Sequence, residues 1–412
     1  TRYHCVTGVQ TCALPIFNAL GFADEQLMIG GLVVRTTLEK DAQVAAEAAV
    51  FNQAPKKAPD NLHIGLVSIR PGTGEIVAMY GGKDYLQRQL NDATQGITQA
   101  GSTFKPFALI AALEQGISLA SVWNGDGPKI FDDGIGRPYE VSNYGDKSFG
   151  DLTLLKATAS SINTIYVPLG IKVGADKVID AARRAGIPDT VAMVPSPSVV
   201  LGVASPRVID VANSFATFAA NGVRAKPFMV KEVLGPNKGV LYQARVETEQ
   251  VFDENVMADL NYALGEVVRA GTASSALRDF GRPAAGKTGT SQSNASAWFS
   301  GYTPQLATSI AFYRDDATQS LNGIGGLNSV TGGSFPARIW NAYMKAALKG
   351  QPELDFAPPS HIGGTDPFKI PDPVPTISPS AAATWCQSAD LEGTNKDLRD
   401  FCEKALKKYL SR

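Results

Sequence analysis

The chain is poor in histidine and cysteine, has no long apolar run and carries almost no net charge. Its three histidines, His4, His63 and His361, leave little material for a Ser-His-Asp triad. His4 lies in an N-terminal stretch set aside below, His63 opens a strand-like run, and His361 sits among prolines. No apolar run approaches the roughly 18 residues of a spanning helix. A formal net charge of −1 gives no basis for binding nucleic acid or an anionic membrane surface. The rest is ordinary for a globular protein, with 44% apolar and 19% charged residues. A chain of 412 residues can bury a sizeable core and exceeds one average domain.

Val6 to Ile16 resembles a sequencing-library adapter read in one frame. Residues 1–16 are therefore set aside as non-native, and the coding sequence is expected to extend upstream. Of the four cysteines, Cys386 and Cys402 remain. Two readings stay open for them. In an oxidising compartment they pair, closing a loop worth about 3 kcal/mol; otherwise they are two reduced thiols on a short terminal helix.

Gly30 to Glu39 is β-rich and leads into an Ala-rich helical stretch from Asp41 to Phe51. A hairpin follows, Ile64 to Ile69 and Glu75 to Met79, turning at Arg70-Pro71-Gly72-Thr73-Gly74. Phe104 to Gln115 reads as a helix, with Pro106 tolerable only in its first turn and Gly116 at the stop. Ser205-Pro206 reads as N-cap and first residue of another, with Val208, Val211, Phe215 and Phe218 as its buried stripe. A third runs from Val256 to Arg269. Strand periods return at Ala284 to Thr290, Ala297 to Tyr302 and Leu306 to Tyr313, before a closing helix from Ile339 to Leu348. Pro352 to Pro379 holds eight prolines and is expected to carry no regular element; a basic helix follows from Leu398 to Leu410. This order predicts an α/β (α+β) fold: an antiparallel sheet whose first two strands come from the start of the domain, covered by helices from its middle. The expected divisions are 17–60 as a lead-in segment, 61–350 as the main domain, 351–380 as a proline-rich linker and 381–412 as a helical tail.

Three short motifs carry candidate chemistry. In Ser102-Thr103-Phe104-Lys105 a three-residue step along a helix brings the Lys105 amine within hydrogen-bond reach of the Ser102 hydroxyl. The positive end of the helix dipole favours a developing alkoxide there, and Gly101 admits a substrate close to the backbone. This activates serine without histidine. Alone the motif is weak, since chance gives about one in a chain this long, and a capping serine beside a surface lysine explains it equally well. Lys287-Thr288-Gly289-Thr290 lies on a strand-like run and offers a cation, two hydroxyls and an open backbone to an anionic peptide, or is simply a turn with a solvated charge. With Gly281 and Gly286 it also completes the phosphate-loop pattern Gly-x-x-x-x-Gly-Lys-Thr. That reading fails on context: the preceding stretch is polar, Pro283 sits inside it, and Gly289 to Asn294 is a poor helix start. Ser161-Ile162-Asn163 is uninformative alone and reads equally as a helix-end cap.

Together, and in this order, Ser-x-x-Lys, Ser-x-Asn and Lys-Thr-Gly are the joint signature of penicillin-binding proteins and class A β-lactamases. Gly30 to Glu39, Pro71 to Met79, Gly101 to Phe107, Gly271-Thr272-Ala273 and Trp298 to Pro304 further resemble class A (bifunctional) penicillin-binding proteins, over about residues 28 to 348. The resemblance implies the transpeptidase fold shared with β-lactamases, an antiparallel sheet flanked by helices with an all-helical subregion. It implies a DD-transpeptidase that crosslinks peptidoglycan stem peptides through an acyl-serine and is acylated by β-lactams, with no cofactor and no metal.

Residue by residue, the resemblance makes Ser102 the nucleophile and Lys105 its base, which requires a lowered amine pKa supplied by burial and by Lys287. Ser161 relays the proton to the leaving amine, and Asn163 holds Lys105 and the substrate backbone. Lys287, Thr288, Gly289 and Thr290 orient the substrate, and the N–H groups of Ser102 and Thr290 form the oxyanion hole. Ser296 departs from the acidic residue often found before Ala-Trp-Phe, with little effect expected. A membrane anchor and a glycosyltransferase domain are expected upstream, placing the domain on the extracytoplasmic face of the membrane. Two rival readings remain: a DD-carboxypeptidase or β-lactamase, against which no Glu-x-x-Leu-Asn segment lies among the glutamates from Glu232 to Glu266, and a penicillin-recognising sensor, which would lack the lead-in segment.

Overall fold

Two groups of strands far apart in sequence meet in one sheet. The first is a hairpin of β1 (Leu62–Ile69) and β2 (Ile76–Tyr80); the second is β3 (Ala285–Thr290), β4 (Ser296–Thr303) and β5 (Leu306–Arg314). In the computed structural model they form an antiparallel sheet in the order β3-β4-β5-β1-β2. The structure describes residues 20–22, 31–84, 86–370, 376–391, 393–394 and 396–409; the adapter-like residues 1–16 lie outside these. The seam between the groups pairs Ala307 with Ile69 and runs through Arg314 with Leu62.

Among the described residues the α-helices longer than one turn are α1 (Lys40–Gln53), α2 (Lys105–Glu114), α3 (Leu154–Ser160), α4 (Asn163–Val173), α5 (Ala175–Ala185), α6 (Val208–Ala219), α7 (Glu254–Arg269), α8 (Phe335–Ala347), α9 (Pro379–Ser388) and α10 (Lys396–Tyr409). α1 and α8 cover one face of the sheet, and α6 and α7 cover the other. Covered on both sides, β4 is buried at every residue and β5 at all but Arg314, which is why these strands read as continuous apolar and small-residue runs rather than alternating ones. α2 is buried at every residue but Glu114, packed among α4, α5 and α7.

Two expectations are corrected. The helix expected at Ser205-Pro206 starts at Val208, with Arg207 as N-cap. The Asp210 carboxylate accepts from the Arg207 backbone N–H (3.0 Å) and pairs with its guanidinium (2.7 Å), two bonds in one direction that outweigh the serine preference. The proline-rich segment does hold a regular element: Phe368–Lys369 pairs in parallel with Ser121–Val122. Two residues are too few to leave a period in the sequence. Beyond it, Cys386 and Cys402 are joined as a disulfide between α9 and α10. The small core of these helices packs on Ile130, in the hairpin of Lys129–Asp132 and Pro138–Val141.

His63 is a structural residue, 1% exposed. Its Nδ1 lies 2.7 Å from Asp92 Oδ1, and its Nε2 contacts Asp315. Asp92 also accepts from Arg88 (2.5 Å) and Tyr313 (3.2 Å). This buried cluster pins the connector that runs from β2 to Ser102.

Candidate active site

Ser102 is half-buried in a 3-10 turn, Gly101–Phe104, and α2 begins only at Lys105, with Pro106 in its first turn. The turn rests on the end of β3. Gly101 has φ +56°, and a Cβ there would lie 2.8 Å from the Thr290 carbonyl carbon. Gly289 faces it, where a Cβ would lie 2.5 Å from the Ala100 carbonyl oxygen. Both positions must be glycine for turn and strand to touch. Upstream, the Gln99 carbonyl accepts from Ser296 Oγ (2.6 Å) and Trp298 Nε1 (2.8 Å), and Gly101 N–H donates to Gly202 O (3.0 Å). Ser296 thus has a task that a carboxylate, lacking a donor, does not perform.

α3 ends at Ser161, whose φ of 59° turns the chain before Asn163 opens α4. The helix-end reading of Ser161-Ile162-Asn163 therefore holds: the tripeptide closes α3 and opens α4. Lys105 Nζ reaches Ser161 O (2.6 Å), Asn163 Oδ1 (2.7 Å) and Ser161 Oγ (3.1 Å). Asn163 is oriented by its Nδ2 donating to Ser142 O (2.8 Å). The Tyr166 ring lies 5.3 Å from the Lys105 amine. Lys287 Nζ donates to the same Ser161 Oγ (2.7 Å) and to Thr288 O (3.1 Å).

Here an expectation is corrected: no hydrogen bond joins Lys105 to Ser102. The eclipsed i, i+3 geometry of a 3-10 turn places both side chains along one edge, but three stronger acceptors from the α3–α4 junction take the lysine head. Among the described residues Ser102 Oγ has no hydrogen-bond partner.

Both lysine side chains are fully buried. Burial, and secondarily the Lys287 cation, hold the Lys105 pKa well below that of an ordinary lysine; burial brings Lys287 down to about 7. The two amines, both held below the ordinary lysine pKa by burial, are joined through one hydroxyl, that of Ser161.

β3 is an edge strand, so alternate N–H groups face away from β4. Ser291 N–H donates inward to Ser296 O (3.2 Å), which leaves the Thr290 N–H facing outward, where the Gly101 turn rests. Thr290 Oγ1 accepts from Gly332 N–H (3.3 Å), and Thr288 Oγ1 lies 2.6 Å from Thr272 Oγ1. Lys287 lies within β3 and no helix starts at it, so the phosphate-loop pattern is fortuitous.

The chain belongs to the penicillin binding protein transpeptidase domain family, which matches residues 64–323. Penicillin-binding protein 1A of Mycobacterium tuberculosis is 35% identical over 374 residues, covering 85% of this chain and 44% of that protein. Penicillin-binding protein 2D of Bacillus subtilis is 30% identical, covering 84% and 49%. The structure of the PonA1 protein from Mycobacterium tuberculosis in complex with penicillin V superposes with a TM-score of 0.76 at 32% identity, over 85% of this chain and 95% of that one. This chain spans less than half the length of the two curated relatives.

Sequence reasoning gave no role to Thr272, Tyr166 or the Ser142 carbonyl. Thr272 belongs to a stretch quoted for the resemblance, but its contact with Thr288 joins a helix end to a strand and leaves no spacing signal. Tyr166 lies one position beyond Ile165 on an almost wholly buried helix, and nothing in the sequence separates it from ordinary core.

Proposed function

We propose that this chain is the DD-transpeptidase part of a class A penicillin-binding protein, acting on peptidoglycan stem peptides and acylated by β-lactams. The observation that carries this reading is the Lys105–Ser161–Lys287 chain beside the Ser102 turn. Ser102 Oγ attacks the carbonyl of the penultimate D-Ala, and its proton passes to uncharged Lys105. In that state Lys105 keeps its N–H bonds to Ser161 O and Asn163 Oδ1 and turns its lone pair to the incoming proton. The N–H groups of Ser102 and Thr290 take the oxyanion, each worth about 3 kcal/mol in the transition state. The C–N bond then breaks. Ser161 passes a proton to the departing D-Ala amine and recovers one from Lys105 or Lys287. An acceptor amine attacks the acyl-serine, its proton returns through Lys105, and Ser102 is released with the crosslink formed. Lys287, Thr288, Gly289 and Thr290 hold the substrate carboxylate and backbone.

In this reading residues 17–60 lead in from an upstream glycosyltransferase domain and membrane anchor, residues 61–350 form the catalytic domain, and the domain works on the extracytoplasmic face. Among the described residues no helix is long and apolar enough to cross a membrane. Intact mass after incubation with benzylpenicillin tests the proposal: the wild type should gain one stable penicilloyl group and Ser102→Ala none. Rapid nitrocefin turnover without a stable adduct would favour hydrolysis instead.

A further inference from the structure

We propose that Thr272 is a positioning residue for recognition of the substrate carboxylate, acting through Thr288. This rests on the proposal that β3 receives that carboxylate. A threonine hydroxyl has one proton to donate, and Thr272 Oγ1 lies 2.6 Å from Thr288 Oγ1, so a single proton occupies the space between them. If Thr288 supplies it, Thr288 presents only lone pairs to an incoming carboxylate. If Thr272 supplies it, the Thr288 proton is free to point at the anion. A bound carboxylate selects the second arrangement, and Thr272 makes that arrangement available without leaving the Thr288 oxygen short of a donor.

The placement of Thr272 is fixed from both sides. Its N–H donates to Ala159 O (3.1 Å), two residues before Ser161. On the other side the Gly333 backbone lies so close that a Cβ there would fall 2.3 Å from the Thr272 carbonyl oxygen. Gly271 is wedged similarly against Ala159 O, at 2.3 Å from its own would-be Cβ. Thr272 itself is exposed while Thr288 is 6% exposed. The pair thus runs from solvent to the strand, and removing the outer hydroxyl leaves the fold's interior untouched.

The test compares acylation efficiency for benzylpenicillin and for its methyl ester, which keeps the ring and loses the negative charge. Thr272→Val should slow acylation by the acid about 5- to 10-fold, the size of one hydrogen bond between uncharged groups. It should leave the ester within about 2-fold, and Thr272→Ser should restore the acid rate. Equal losses on acid and ester, or no loss on the acid, overturn the proposal. Thr288→Val separates the two levels. If it lowers the acid-to-ester ratio while Thr272→Val does not, only the role of Thr272 falls. If it leaves the ratio unchanged, Thr288 does not read the carboxylate, and the role of Thr272 acting through it falls as well.

Discussion

Replacing Lys287 with methionine should stabilise the protein at mildly acidic pH while abolishing acylation. Lys287 is fully buried, and burial lowers its pKa from 10.5 to about 7. The unfolded chain binds this proton with the ordinary value. Between pH 7 and 10.5 unfolding therefore takes up a proton, and the wild type gains about 1.4 kcal/mol of stability per pH unit as pH rises. Below pH 7 the whole penalty is present, and above 10.5 it has vanished. The penalty is about 4 to 5 kcal/mol on this basis. Two hydrogen bonds, to Ser161 Oγ and Thr288 O, offset about 1.5 kcal/mol each. Methionine fills a similar volume without charge, so Lys287→Met should be about 2 kcal/mol more stable at pH 6. The advantage should shrink with rising pH, cross zero at about pH 8 and be fully reversed by pH 10, where the neutral amine keeps its bonds at little cost. Urea denaturation of both proteins at pH 6, 8 and 10 measures this. A stability difference that stays flat across pH would refute the reasoning.

Asn163→Ala removes the amide that joins Lys105 Nζ (2.7 Å) to Ser142 O (2.8 Å). Acylation by a fluorescent penicillin should fall by about 100-fold, with a loss of about 2 kcal/mol in stability; unchanged acylation would show that the amide does not hold the base. Gly289→Ala drives a Cβ to within 2.5 Å of Ala100 O and 2.8 Å of Thr103 Cγ2, so turn and strand must separate. Thermal denaturation should show a loss of about 2 kcal/mol or more and labelling should slow; a variant as stable as wild type would mean the contact yields easily.

Much of this molecule was legible in its sequence because the decisive signals are local. The strand runs of β1 to β5 and the Val208, Val211, Phe215, Phe218 stripe follow from side-chain period, and the sheet assembles as those runs imply. The lysines and hydroxyls named from the motifs are the ones that converge: Lys105, Ser161, Asn163 and Lys287 form one bonded group. What the sequence hides is competition. The three-residue spacing predicts Lys105 on Ser102, yet the α3–α4 junction offers it a carbonyl, an amide and a hydroxyl. Ser205 is a better N-cap than Arg207 by preference, yet Asp210 three residues on decides the start. Ser296 reads as a neutral replacement until Gln99, distant in sequence, brings its carbonyl to it.

The order of the sheet places β5, made last of its five strands, in the middle, with older strands on either side. During vectorial synthesis the first hairpin waits with an unpaired edge while some two hundred further residues emerge, and no local pairing can substitute for the missing centre. The serine turn and the lysine strand thus come into register only when residues near 314 are available. A nascent chain stalled between residues 287 and 306 carries every residue of the bonded lysine group before the central strand of the sheet exists.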